Sequence, residues 1–520
     1  MNSRANKTGR CFNLIHEKTL RIKRFFLLSA LSLLFSLITM LVLGFDPVNV
    51  DNWPHPLISH SSEPTFRDIE SLLAVFPKTI TAPRFFSVFY PRPLAIDGTG
   101  ENIAVIEASK DYNPLGLIEF DRIFNLPDPV VWAIPVGSPP ESWDSGETML
   151  DVELIHMLAP KAQIYLLQWD GKSPQITREI VNVEPNAISA SIGIYSRFGI
   201  TLLRTPFLPQ ARNWDILERY NSFVATGDFG AGVDFPSAME NVVSVGGTQF
   251  SPFSSMDYDH LYGWPSSTGG LAFFARPRPA WQVGNQSIWR GVPDVSFLSG
   301  WPGYAVCLNA HQWTVMNGTS AAAPVVSAAW ALGDELYFNK HGQHLPTMAN
   351  QIIYDLYRQQ PGIFSQAIGG GNGEYKVATG WNAVTGLGCP RLDDFVTALG
   401  NYKASKMKET SVFSIYLWDA IDALAFLLAI LILALCLSAF KLERRPSIIK
   451  EHIIANTILF ALAAAQILIG VVYGVAFVFA PKILWYYIFL STAYTATIYT
   501  SWVLWQAALT YANETLNPQT

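Results

Sequence analysis

Four uninterrupted apolar runs constrain the topology of this 520-residue chain more than any other feature. Residues 25–45 carry no charge over a length that crosses a bilayer as a helix, and runs at 423–440, 454–479 and 483–508 do the same near the other end. Half of the residues are hydrophobic and only 15% are charged, a balance that matches membrane segments attached to a globular part. Arg4, Lys7, Arg10, Lys18, Arg21, Lys23 and Arg24 precede the first run, and Asp46 and Asp51 follow it. The positive-inside rule then places 1–24 in the cytoplasm and the next segment outside. A cleaved signal peptide is the alternative, but no Ala-x-Ala site follows, which favours a retained signal-anchor. Lys441, Arg444, Arg445 and Lys450 make 441–453 a basic cytoplasmic loop, and 509–520 a cytoplasmic tail. The expectation is a multi-pass protein of the cell membrane with its large middle domain outside the cytoplasm.

A net charge of −6 without a sizeable basic cluster excludes a nucleic-acid partner. Of the four cysteines, Cys11 falls in the cytoplasmic segment and Cys436 in a span. Cys307 and Cys389 share the exported domain, where a disulfide is permitted.

Between the spans, 46–93 is rich in Pro and polar residues and reads as a juxtamembrane linker with one short helix near 65–75. The segment 401–422 reads as a second linker. Within 94–400 the pattern alternates. Short apolar runs at 103–106, 162–167, 187–191, 222–226 and 242–245 read as buried strands. Helical patterns at 148–158, 177–183 and 212–220 fall between them. This alternation predicts an α/β domain whose parallel sheet is covered by helices on both faces, with function at the carboxyl ends of the strands.

Three motifs carry chemistry. Gly318-Thr319-Ser320-Ala321-Ala322-Ala323-Pro324 places a Ser at the start of an Ala-rich helix read over 321–332, where free backbone N–H groups suit a developing anion. A helix cap is the plainer role for the same Ser. Glu147 and Asp151 lie four apart, on one face of a helix, close enough for their carboxyl groups to share a proton. Thr226-Gly227-Asp228 puts an acid just past a strand. A nucleophilic Ser needs a base, usually His, yet no His-Gly-Thr segment precedes Ser320. His156 reads as packing or capping, Glu153 as solvated or a structural partner, and Asp144-Ser145-Gly146 as a turn.

Taken in order, Glu147-x-x-x-Asp151, Thr226-Gly227-Asp228 and Gly318-Thr319-Ser320 resemble the sedolisin family of serine-carboxyl peptidases. So do Ser189-Ala190-Ser191, Val245-Gly246-Gly247-Thr248, Pro293-Asp294-Val295 and Gly386-Leu387-Gly388-Cys389-Pro390. The resemblance implies a subtilisin-like fold and an acid-active serine endopeptidase of protein or peptide substrates. It implies Ser320 as nucleophile, Glu147 as general base, Asp151 as its partner and Asp228 as an oxyanion-hole acid. It also implies a calcium site at Gln366, Ala367, Ala378, Gly380 and Asn382. There Gln366 and Asn382 replace the family's acids, which favours a metal-free amide network over calcium.

Two further departures stand out. Asn317 replaces the usual Ser and forms a glycosylation sequon with Gly318-Thr319; of the two sequons, Asn285-Gln286-Ser287 reads as the better acceptor. The segment 46–93 is too short for the family's large prosegment. These departures keep two alternatives open: a catalytically inactive peptide-binding or surface scaffold, and a C-terminal helix bundle that binds a partner protein or acts in transport or assembly.

Overall fold

The computed structural model describes residues 68–140, 146–196, 209–272 and 278–404. The four expected spans, with 1–24, 441–453 and 509–520, lie outside the described residues. Among the described residues no helix is long and apolar enough to cross a membrane.

The chain enters through α1 (Ile69–Val75), started by a capping box between Asp68 and Ser71, and α2 (Ala82–Phe89). Helix α1 falls where one short helix was expected near 65–75, whereas α2 and its packing correct the linker expected up to residue 93. Phe85 and Phe89 are fully buried, and the Phe89 ring lies 4.8 Å from that of Phe297 and 5.9 Å from that of Phe250. Pro and polar residues around α2 disguised an aromatic anchor of the domain core.

The strands that follow are β1 (Asn102–Glu107), β2 (Val130–Val136), β3 (Gln163–Trp169), β4 (Ala187–Ala190), β5 (Ser222–Ala225), β6 (Val242–Phe250), β7 (Leu261–Gly263) and β8 (Val295–Leu298). They form one sheet in the order β8-β6-β5-β4-β1-β3-β2, parallel throughout, with β7 antiparallel against β6. The helices between and after them are α3 (Pro114–Phe124), α4 (Glu147–Leu158), α5 (Gln175–Val183), α6 (Thr319–His341), α7 (Ala349–Gln359) and α8 (Leu392–Gly400).

Residues of β1 show why its run is continuously apolar. Ile103 and Val105 join the core that contains Leu150, Val326 and Trp330 on one face. Ala104 and Ile106 join Ile176, Ile180 and Trp214 on the other. A strand covered on both faces has no polar side to alternate with. The expected α/β layering is therefore present.

Three local expectations need correction. Strand β2 lies outside the expected apolar runs, and its Pro135 is tolerated because β2 is the sheet's edge and pairs only with β3. A 3₁₀ helix, Pro209–Arg219, replaces the α-helix expected at 212–220. Trp214, Leu217 and Tyr220 recur every third residue, the period of that helix. Helix α6 also runs well past Leu332, because its buried acids find partners. Glu335 accepts from the backbone N–H groups of Asp97 and Gly98 (3.1 and 2.7 Å), and Asp334 from that of Leu345 (2.5 Å). Gly342, at φ 68°, closes the helix in the left-handed region.

Cys307 and Cys389 are both buried free thiols, so the permitted disulfide is not formed. Asn285 overturns the glycosylation expectation. It is 1% exposed, and its amide donates to Gln282 and to the Trp289 carbonyl. Asn317 is the exposed one of the two.

Candidate active site

The site residues converge because the sheet brings the ends of β1, β4 and β5 together under the start of α6. Glu107 is the last residue of β1, Ser191 follows β4, and Asp228 follows β5. Helix α4 carries Glu147 at its first position and Asp151 one turn later, and it packs against α6. Ser320 is the second residue of α6 and is 3% exposed.

Two hydrogen bonds set the start of α6. The Thr319 N–H and hydroxyl both donate to Asp228 Oδ1, each at 2.9 Å. The same hydroxyl accepts from Gly227 N–H at 3.0 Å. With Oδ1 engaged, Oδ2 faces Gly318: a Cβ at that residue would stand 2.9 Å from it. Gly318 sits at φ 142°, a backbone that side chains rarely adopt, so both its conformation and its closeness to Asp228 require glycine. Burial pushes the Asp228 carboxyl up to about 6, opposed by its two bonds from Thr319.

Pro324 has a specific effect inside α6. It lacks the N–H that would bond the Ser320 carbonyl four residues back. Ser191 Oγ lies 3.5 Å from that carbonyl and donates to Asp151 Oδ2 at 2.7 Å. One hydroxyl therefore connects the Ser320 backbone with the carboxyl on α4.

Asp151 is fully buried. Burial raises its carboxyl to about 7, against hydrogen bonds from Ser191 and Glu107 that lower it. Glu107 is raised well above the ordinary range, first by burial and then by repulsion from Asp151, Glu147 and Asp111. Burial raises both carboxyls, so the pair favours a shared proton over two charges. Sequence reasoning missed Glu107. The available signal was an acid closing an apolar strand, at the end of the sheet where such folds place their sites. Ser191 and Thr319 were inside quoted motifs but had no assigned role.

The neighbours of this cluster are structural. Glu153 is buried, and its carboxylate accepts from Cys307 N–H (3.1 Å). His156 is buried with Nε2 3.0 Å from the Pro127 carbonyl and 3.1 Å from Asp121. Asp294 of the Pro-Asp-Val motif is fully buried and paired in both oxygens with Arg290 (2.8 and 2.6 Å). Ser244, Asn350 and Tyr354 also donate to it, so this buried charge belongs to the scaffold.

At the family calcium positions, Gln366 donates to the Leu387 carbonyl (2.5 Å) and accepts from Gly380 N–H (3.1 Å). Asn382 donates to the carbonyls of Ala378 (3.0 Å) and Gly380 (3.4 Å) and accepts from Val384 and Thr385 N–H (both 3.0 Å). The Asn382 amide N–H groups thus occupy two of the carbonyl oxygens a cation would need, those of Ala378 and Gly380. Without a carboxylate, this donor set does not fit a hard dication.

The raised acids have a consequence for folding. Asp151 and Asp228 bind protons more tightly folded, at about 7 and about 6, than at their ordinary 3.8. Their contribution to stability is full below that ordinary value and is lost as pH rises through the folded values. The melting temperature followed by circular dichroism is expected to fall from pH 4 to pH 8; a rise across that window would contradict these assignments.

Residues 150–345 match the model of the subtilase family. Kumamolisin from Bacillus sp. (strain MN-32) is 27% identical over 349 residues, covering 58% of this chain and 60% of that protein. Tripeptidyl-peptidase 1 from Dictyostelium discoideum is 26% identical over 339 residues, covering 57% of this chain and 54% of its own. The chain thus spans little more than half the length of these curated relatives. The solved structure of Pseudomonas sedolisin, a serine-carboxyl proteinase complexed with two molecules of pseudo-iodotyrostatin, shares the fold: TM-score 0.54, 22% identity, 62% of this chain and 98% of that one. The domain is thus similar in sequence to kumamolisin and tripeptidyl-peptidase 1, and similar in fold to sedolisin.

Proposed function

We propose that this chain is an acid-active serine-carboxyl endopeptidase acting on proteins or peptides. The observation that carries the reading is the doubly bonded Asp228 beneath Thr319, next to a buried Ser320 at a helix start. In this reading Ser320 Oγ attacks the scissile carbonyl carbon and its proton passes to Glu147. The carbonyl oxygen becomes an oxyanion held by the protonated Asp228 at the start of α6. Collapse expels the amine, which takes the proton from Glu147 and leaves an acyl-enzyme on Ser320. Water then attacks, Glu147 again taking and returning the proton.

Asp151 keeps Glu147 in place and shares the negative charge of the site, with Glu107 and Ser191 holding Asp151 in turn. Asp228 must be protonated and Glu147 ionised, so the two conditions meet at acid pH. The calcium-site turn is proposed to close through its Gln366 and Asn382 amides. The apolar runs at both ends support a membrane-anchored form with this domain outside the cytoplasm, and a partner protein for the C-terminal spans is compatible with them.

The test is cleavage of denatured protein by the purified full chain at about pH 3–5, beside Ser320→Ala and Glu147→Ala. Cleavage by the parent alone is expected; equal cleavage by all three would sink the mechanism. Gly318→Ala is expected to lose at least about 10²-fold in kcat/KM through displacement of Asp228 and Thr319. Undiminished turnover in a folded variant would contradict the described geometry.

A further inference from the structure

A second cluster of ionisable groups lies at the opposite end of β1 from the candidate active site. Glu101 immediately precedes β1, Asn186 immediately precedes β4, Asp334 lies in α6 and His344 just beyond that helix. Asp334 is fourteen residues along α6 from Ser320, about 20 Å away along the helix axis.

We propose that Glu101, Asp334 and His344 form a binding site for a divalent transition-metal cation of the Zn²⁺ class. One oxygen from each acid and one ring nitrogen of His344 lie within 4.8 Å of one another. His344 Nδ1 is 3.0 Å from Asp334 Oδ2 and 3.8 Å from Glu101 Oε1. Donor atoms bound at about 2 Å around one such ion stand roughly 3–3.5 Å apart, so small side-chain movements complete the set. One imidazole nitrogen with two carboxylates suits Zn²⁺ or Mn²⁺ better than Ca²⁺, which takes oxygen ligands.

An independent observation points to a ligand here. Glu101 and Asp334 are each 1% exposed, and Glu101 Oε2 accepts no hydrogen bond among the described residues. A buried carboxylate oxygen left this way carries a desolvation cost that a cation removes. Donors and acceptors around His344 also conflict. Asn186 Nδ2 lies 3.0 Å from Nδ1 and 3.2 Å from Asp334 Oδ2. The orientation of that amide is fixed, because its oxygen accepts from Asn102 N–H at 2.9 Å. A protonated Nδ1 serves Asp334 and opposes the Asn186 N–H; a bare Nδ1 serves Asn186 and leaves the acids without a positive partner. A cation on Nδ1 and both carboxylates answers all three, while Asn186 keeps its bond to Asp334.

The surroundings resemble an outer shell. Leu345 N–H holds Asp334 Oδ1, and the His344 ring stacks on Phe338 at 4.6 Å. Two nearby charged groups are already engaged: Glu335 by the N–H groups of Asp97 and Gly98, and Lys161 by Asp97 at 2.8 Å. His344 is 44% exposed, which provides an entry path and room for water ligands. The cation would clamp the far end of α6 to the start of the sheet, so its effect is on stability.

The test uses the full chain, stripped with a chelator and dialysed, then titrated with ZnCl₂ and, separately, MnCl₂ at about pH 7.5, where metal-ligating groups lose protons more readily. Calorimetry is expected to show one site that is absent from His344→Ala and Glu101→Gln. At about a hundredfold excess over Kd, the parent is expected to gain several degrees in melting temperature and the variants none. His344→Ala alters a half-exposed side chain and Glu101→Gln preserves shape, so both should remain folded. Binding of neither metal by the parent would overturn the proposal. So would equal binding and equal thermal shift in parent and variants.

Discussion

Replacing Ser320 with Ala is expected to lower kcat by about 10⁴-fold or more while the melting temperature barely moves. The asymmetry follows from geometry. Ser320 is followed by Ala321, Ala322 and Ala323, all fully buried, so losing one hydroxyl leaves the packing of α6 intact. The 3.5 Å contact between Ser191 Oγ and the backbone of α6 uses the Ser320 carbonyl and is kept. Glu147→Ala is expected to cost nearly as much, and the double variant little more than either one, because the proposed mechanism uses nucleophile and base as a unit. Additive losses would mean that the two side chains do not share a step.

Asp228 should separate two roles that most substitutions confuse. Asp228→Ala removes the proposed oxyanion donor and is expected to cost about 10²–10³ in kcat. Asp228→Asn keeps an oxygen for the Thr319 N–H and hydroxyl and presents an N–H in place of the protonated oxygen. It is expected to retain most activity at acid pH. The sign of its pH effect is also fixed. The natural carboxyl donates only when protonated, and burial pushes it up to about 6, so activity falls as pH rises through that value. The amide donates at every pH, so its falling limb should move upward. An unchanged limb in Asp228→Asn would assign the titration to another group.

Much of this arrangement was legible in the sequence because it depends on local patterns. The Gly318-Thr319-Ser320 turn, the four-residue spacing of Glu147 and Asp151, and the alternation of apolar runs with helical patterns each carry their meaning within a few residues. What escaped was set by contacts across long separations. Glu107 gains its role only when β1 brings it to Asp151. Phe85 and Phe89 resemble linker residues until Phe250 and Phe297 meet them. Asn285 carries an accessible-looking sequon, but Gln282 and the Trp289 carbonyl enclose its amide. Strand β2 contains Pro135, which its edge position in the sheet allows. Glu101, Asp334 and His344 have no motif spacing at all, and a fold is needed to assemble them.

The central claim is that a carboxylate-based site, with no histidine base, activates Ser320. The pH dependence of kcat/KM for the full chain on an unstructured peptide tests it most directly. Maximal activity in the acid range with a decline through about 6 is the predicted result. Activity that rises through neutrality to an alkaline maximum would contradict it.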